Sequence, residues 1–105
     1  TAMFGVSAGG ELALAMGMRH PERFGAILSA SPGAGYQPPE ILAPPLPKTY
    51  LVGGTQEPFF LANAVRWADA LRKNGGDVKM IERDAGHDDA MWREEFPRMV
   101  NWAFG

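Results

Sequence analysis

The sequence predicts an α/β fold built on a parallel sheet, and three observations predict it. Short apolar or alternating stretches of strand length fall at residues 2–6, 24–30, 49–54 and 77–82. Stretches with helical spacing of apolar residues fall at 8–19, 59–74 and 91–104. Glycine and proline punctuate the boundaries between them. Strand alternating with helix is the pattern of βαβ units, whose right-handed crossovers make neighbouring strands parallel. At 105 residues the chain is at most one domain, expected over 1–105. A domain of that size buries roughly two-thirds of its unfolded surface.

Ala2, Met3, Phe4 and Val6 form an apolar run suited to a buried strand, and Glu11-Leu-Ala-Leu-Ala-Met continues as a helix of strong formers. His20-Pro21 stops that helix, because a residue before proline is pushed out of the α region. His20 itself reads as a helix-end residue favoured by the dipole, not as a ligand. Phe24-Gly-Ala-Ile-Leu-Ser-Ala is the second strand, ended by Ser31 and Pro32. From Gly33 to Lys48 the prolines 38, 39, 44, 45 and 47 exclude regular helix or central strand. This stretch is expected to run over the surface at one end of the sheet, with a turn of helix near Pro39-Glu-Ile-Leu. Loops of such length usually serve a site.

Thr49-Tyr-Leu-Val-Gly-Gly is the third strand, and Pro58 suits the opening of the next helix. Its apolar stripe is expected to be Phe60, Leu61, Ala64, Val65, Ala68 and Leu71, with Trp67 beside it as a packing residue. Gly75-Gly76 closes it. Asp77-Val-Lys-Met-Ile-Glu alternates, as a strand with one wet face near a sheet edge does. The last helix is expected over 91–104, with Trp92, Phe96, Met99, Val100 and Ala103 on one side.

Composition narrows the function classes. Hydrophobic content of 46% and charged content of 21% are those of a soluble globular protein. A net charge of −2 provides no basic field for nucleic acid or an anionic membrane. There is no cysteine, hence no disulfide framework and no thiolate chemistry. No apolar run approaches the roughly 18 residues that span a bilayer. No metal or organic cofactor is implied, and nothing fixes the compartment. The chain opens inside a strand, so the expectation is a segment of a longer fold.

Chemistry concentrates at Gly5-Val-Ser-Ala-Gly, which fits G-x-S-x-G, the strand-to-helix turn that presents a nucleophilic serine. Ser7 would sit there in a strained backbone, with flanking glycines because a Cβ would collide with strand or helix. The alternative is a glycine-rich turn whose serine caps the helix. A serine nucleophile needs a base within hydrogen-bond reach and a third group to orient that base. With His20 at a helix end, His87 is the base by elimination and by its place in a loop after the fourth strand. For the acid, Glu57, Asp84, Asp88 and Asp89 follow strand ends. Glu57 comes directly after the third strand and would converge with Ser7 and His87 at one end of the sheet. Asp84 is the second choice, and Asp88 adjoins His87 too closely to orient its ring.

The order Ser…Glu…His is that of α/β-hydrolases. Four stretches carry a resemblance: Gly5-Val-Ser-Ala-Gly-Gly, His20-Pro-Glu-Arg-Phe-Gly-Ala, Val52-Gly-Gly-Thr-Gln-Glu-Pro, and Gly86-His-Asp followed by Trp92. Together they resemble the carboxy-terminal half of an esterase family of α/β-hydrolases, the group of esterase D, enterochelin esterases, feruloyl esterases and mycolyl transferases. The resemblance spans nearly the whole chain. It implies the α/β-hydrolase fold, carboxy-terminal half only, with Ser7 matching the nucleophile, Glu57 the acid and His87 the base. A glutamate acid occurs in part of that family. Its members carry four further strands before the serine turn, which this sequence does not contain.

What the resemblance implies is a serine-type hydrolase of small-molecule esters, without cofactor. The oxyanion hole of this fold uses the N–H of the residue after the serine, here Ala8, and a second N–H from a loop outside this sequence. Losing one such donor costs on the order of 10²–10³ in rate. Tyr36, in the proline-rich stretch, is expected to border the substrate. The rival readings are a non-catalytic module on an esterase scaffold and an acyltransferase. The first strand is expected to leave an apolar, uncharged edge open, so the chain should need either a preceding half or self-association.

Overall fold

The computed structural model describes residues 1–105. Four parallel strands pair in the order β1-β2-β3-β4: β1 (Ala2–Val6), β2 (Ala26–Ala30), β3 (Lys48–Gly54) and β4 (Val78–Arg83). Three helices alternate with them: α1 (Ala8–Arg19), α2 (Pro58–Lys73) and α3 (Asp89–Phe104). The register runs Ala2–Ala26–Lys48 and Thr49–Val78, which brings the carboxy ends of all four strands to one side of the molecule.

Period-two side chains divide the core between two faces. Ile27 and Leu51 point to one face and pack with Ala13 and Leu14 of α1 and Ala64, Trp67, Ala68 and Leu71 of α2. Leu28, Ala30, Tyr50 and Val52 point to the other, against Met91 and Met99 of α3. Both faces of β2 and β3 are therefore dry, and these two strands are buried almost throughout. β4 is half-exposed at one edge, in keeping with its alternating sequence. No helix is long and apolar enough to cross a membrane.

Three expectations about packing change. No helix forms at Pro39-Glu-Ile-Leu; the backbone there is irregular, and Leu42 instead inserts into the α1/α2 core while its N–H donates to Asn74 Oδ1. The stretch between β2 and β3 thus does the covering work of a crossover helix. In α2 the buried face is rotated: Asn63 lies inside and Val65 outside, while Trp67 packs inside as the sequence predicts. Trp67 anchors that face because its indole N–H donates to the Tyr36 carbonyl, and Asn63 is admitted because it donates to the Pro32 carbonyl.

The face of α3 differs as well. The helix begins at Asp89, capped by Asp88, whose carboxylate accepts from the N–H groups of Ala90 and Met91. Its buried residues are Met91, Glu95 and Met99, whereas Phe96 is exposed and meets the Phe4 ring edge-on at 4.6 Å. Glu95 is admitted to the interior by its partners. It accepts from Tyr50 Oη at 2.5 Å and pairs with Arg98 at 3.1 Å and Arg83 at 3.5 Å. Burial, with the Glu95 carboxylate beside it, pushes the Tyr50 phenol well above its ordinary range.

β1 lies at the other edge of the sheet, paired only with β2. Phe4, Val6, Trp92, Phe96 and Pro97 line a largely apolar groove of about 300 Å³ along it.

Candidate active site

The tight turn between β1 and α1 places Ser7 at φ 58° and ψ −120°, a conformation costing on the order of 1–3 kcal/mol. It is held from both sides. Ser7 N–H donates to the Ala30 carbonyl at 2.9 Å, and the Ser7 carbonyl accepts from Glu11 and Gly33. The flanking glycines are not equivalent. A Cβ at Gly5 would lie 1.8 Å from the Gly9 carbonyl oxygen, and one at Gly10 would lie 2.9 Å from Ala30 O and Ser29 Oγ. A Cβ at Gly9 would meet nothing within 4 Å, so close approach requires Gly5 and Gly10, and the expectation for Gly9 does not hold. Although Ser7 stands at the N-cap position, its hydroxyl makes no capping bond.

That hydroxyl lies 3.0 Å from His87 Nε2, across 80 residues of sequence. The other ring nitrogen, Nδ1, lies 2.6 Å from Glu57 Oε1. A carboxylate accepts only, so the tautomer that fits carries its proton on Nδ1 and leaves Nε2 free to accept from Ser7. Two aromatic rings fix the imidazole plane. Phe60 stacks on it at 3.9 Å, 20° from parallel, and Trp92 meets it edge-on at 4.8 Å. The His87 side chain keeps 31% of its surface exposed, while that of Glu57 keeps 1%.

A carboxylate so buried requires donors, and Glu57 has three. Beyond His87, its Oε2 accepts from Gly54 N–H at 2.7 Å and from Ser31 Oγ at 2.6 Å. Glu57 is formally the N-cap of α2 but makes no side-chain cap bond, so its carboxylate is turned wholly toward the histidine side.

The other acid candidates are engaged elsewhere. Asp84 is exposed and accepts from Thr55 Oγ1 and Gln56 Nε2, and these two bonds hold its carboxyl below the usual range. Asp88 caps α3, and Asp89 pairs with Arg93. His20 ends α1 and lies 3.5 Å from Glu22. Ala8 opens α1, where a first-turn N–H has no helical acceptor. Tyr36 stacks on Trp67 at 5.3 Å with the Arg19 guanidinium over its ring, and makes none of the contacts around Ser7. No group of three or more His, Cys, Asp or Glu side chains is placed to hold a metal ion.

The sequence does not mark Ser31, Phe60 or Trp92 as neighbours of the site: Ser31 reads there as a strand end, Phe60 and Trp92 as residues of apolar helix faces, and Trp92 also as part of a matching stretch. Ser31 sits just past β2 at φ 48°, fully buried, and its hydroxyl accepts from Trp92 Nε1 at 2.9 Å. Nothing local in Ser-Ala-Ser-Pro signals that contact.

No family model and no curated protein sequence matches the chain. Solved structures do. An enterochelin esterase from Shigella flexneri superposes with a TM-score of 0.81 at 24% identity, over 95% of this chain and 29% of that one. A ferric enterobactin esterase from Salmonella typhimurium gives 0.79 at 26%, over 97% of this chain and 30% of that one. A ferulic acid esterase gives 0.79 at 20%, over 97% of this chain and 50% of that one. The chain therefore spans between about a third and a half of these proteins. They are of the esterase kinds that the four sequence stretches resemble, and the four parallel strands and three helices of the chain have the α/β-hydrolase fold of the part of these esterases that they match.

Proposed function

We propose that the chain carries the catalytic residues of a serine carboxylic-ester hydrolase, acting on a small-molecule ester. The observation that supports this most is the unbroken line from Ser7 Oγ through His87 to Glu57, with distances of 3.0 and 2.6 Å. Esterase neighbours in structure support hydrolase chemistry in general.

In this reading Ser7 Oγ attacks the acyl carbonyl carbon and passes its proton to His87 Nε2. The Ala8 N–H stabilises the oxyanion of the tetrahedral intermediate, together with a second donor from outside these residues. Collapse breaks the ester C–O bond, and His87 delivers the proton to the leaving alcohol. A water molecule, activated by the same imidazole, then releases the acid from Ser7. Throughout, the buried Glu57 carboxylate keeps the Nδ1–H tautomer and stabilises the imidazolium.

The test is labelling by a fluorophosphonate, which reacts with an activated serine and not with an ordinary one. Wild-type chain should be labelled at Ser7, and both Ser7→Ala and His87→Ala should abolish labelling. Absence of labelling in folded wild-type chain would favour the non-catalytic module.

A further inference from the structure

We infer that Ser31 and Trp92 are positioning residues for Glu57: the Trp92 indole orients the Ser31 hydroxyl, which locks the carboxylate so that one oxygen faces the imidazole. This deepens the hydrolase reading of the site and rests on it.

The direction of each bond in this chain of contacts is fixed by chemistry. An indole N–H can only donate, so Trp92 Nε1 occupies a lone pair of Ser31 Oγ at 2.9 Å. The hydroxyl has a single proton, and its remaining near partner, Glu57 Oε2 at 2.6 Å, can only accept. The proton is therefore committed to Oε2. With Gly54 N–H on the same oxygen at 2.7 Å, Oε2 is held by two donors and Oε1 is left for His87. Removing the hydroxyl leaves Oε2 with Gly54 alone, and the carboxyl group can turn about its terminal torsion, away from Nδ1.

Backbone geometry ties the device to the sheet. Ser31 N–H donates to the Val52 carbonyl at 2.8 Å, so Ser31 prolongs the pairing of β2 with β3 by one bond before the chain turns at φ 48°. A non-glycine residue in that region carries strain. Trp92 joins the two ends of the arrangement, since the same indole that holds Ser31 meets the His87 ring edge-on at 4.8 Å. The ring thus touches both the imidazole and the group that orients the imidazole's partner.

Ser31→Ala, Ser31→Gly, Trp92→Phe and the double variant Ser31→Ala/Trp92→Phe in the full chain test the inference with two readouts. One is the rate of Ser7 phosphonylation by the fluorophosphonate. The other is the downfield NMR resonance of the His87 Nδ1 proton, which reports the bond to Glu57 whether or not Ser7 reacts. Ser31→Ala and Ser31→Gly should each slow phosphonylation about tenfold, the loss of a hydrogen bond to a charged group. Both should shift the Nδ1 resonance upfield. Trp92→Phe keeps a ring against His87 but lacks the N–H, and should cost about threefold, the scale of one neutral hydrogen bond. The double variant should be no slower than Ser31→Ala, because the contacts act as one unit.

Glycine removes the strain at φ 48° as well as the hydroxyl, so a Ser31→Gly variant at wild-type rate beside a slow Ser31→Ala would assign the defect to backbone strain and overturn the inference. Additive losses in the double variant, or an Nδ1 resonance unmoved by either Ser31 variant, would also overturn it. If wild-type chain resists phosphonylation while the resonance still responds to Ser31, the hydrolase reading fails and the positioning of Glu57 stands.

Discussion

Replacing Glu57 by glutamine preserves size and removes one charge, and the surroundings of the carboxylate set the consequence. Oε2 accepts from two donors, Gly54 N–H and the Ser31 hydroxyl, and Oε1 from a third, His87 Nδ1. An amide offers one accepting oxygen and one donating NH₂. If the oxygen stays with Gly54 and Ser31, the NH₂ faces Nδ1 and forces the proton onto Nε2, where it cannot accept from Ser7. If the amide flips, NH₂ opposes the Gly54 N–H in a buried site, at a cost of about 1–3 kcal/mol. The imidazolium of the transition state also loses its counter-charge, worth about 4 kcal/mol at roughly 4 Å and an effective dielectric near 20. Together these come to about 5–7 kcal/mol, and at about 1.4 kcal/mol per decade the rate should fall by on the order of 10⁴. The measurement is the second-order rate constant for phosphonylation of Ser7 in wild-type, Glu57→Gln and Asp84→Asn chains, with folding checked by circular dichroism. A Glu57→Gln chain within tenfold of wild type, beside a crippled Asp84→Asn, would refute the assignment of the acid.

Three further outcomes are expected. Gly5→Ala should destabilise the chain by more than about 4 kcal/mol, because the 1.8 Å approach to the Gly9 carbonyl leaves no room. Gly9→Ala should be neutral or up to about 1 kcal/mol stabilising in a helix, and equal urea midpoints for the two would refute the reading of the turn. Tyr50, whose folded-state acidity is weakened, binds its proton more tightly folded than unfolded, so its contribution is complete below about pH 10 and declines as pH rises through the alkaline range. Tyr50→Phe should lower the urea midpoint at neutral pH and remove that alkaline decline, and wild type and variant keeping parallel pH profiles would contradict this. Finally, β1 has a strand on one side only, and Phe4 beside it is 38% exposed over the apolar groove with Phe96. The purified 105-residue chain should therefore sediment as an associated species, and a stable monomer at micromolar concentration would count against an adhesive edge.

Much of this fold is legible locally. The strand of Ala2–Val6, the helix stopped at His20-Pro21 and the helix opened by Pro58 follow from apolar spacing and from proline and glycine chemistry, which act over a few residues. Spacing marks a stripe on a helix but leaves its rotation open by a residue. Hence Val65 is outside and Asn63 inside, and α3 buries Glu95 instead of Phe96. In each case a long-range hydrogen bond decides: Asn63 to Pro32, Glu95 to Tyr50.

The sequence by itself determined the order of elements, the turn that presents Ser7, and the residue types that could serve it, because each is a property of neighbouring residues or of simple elimination between two histidines. Only the tertiary structure decided that the loops after β3 and β4 bring Glu57 within 2.6 Å of His87, and that Ser31 and Trp92 stand behind that carboxylate. Those partners lie 26 to 61 residues apart in sequence, and their meeting depends on the parallel register of β2, β3 and β4, which places the ends of these strands, and whatever follows them, over the same edge of the sheet.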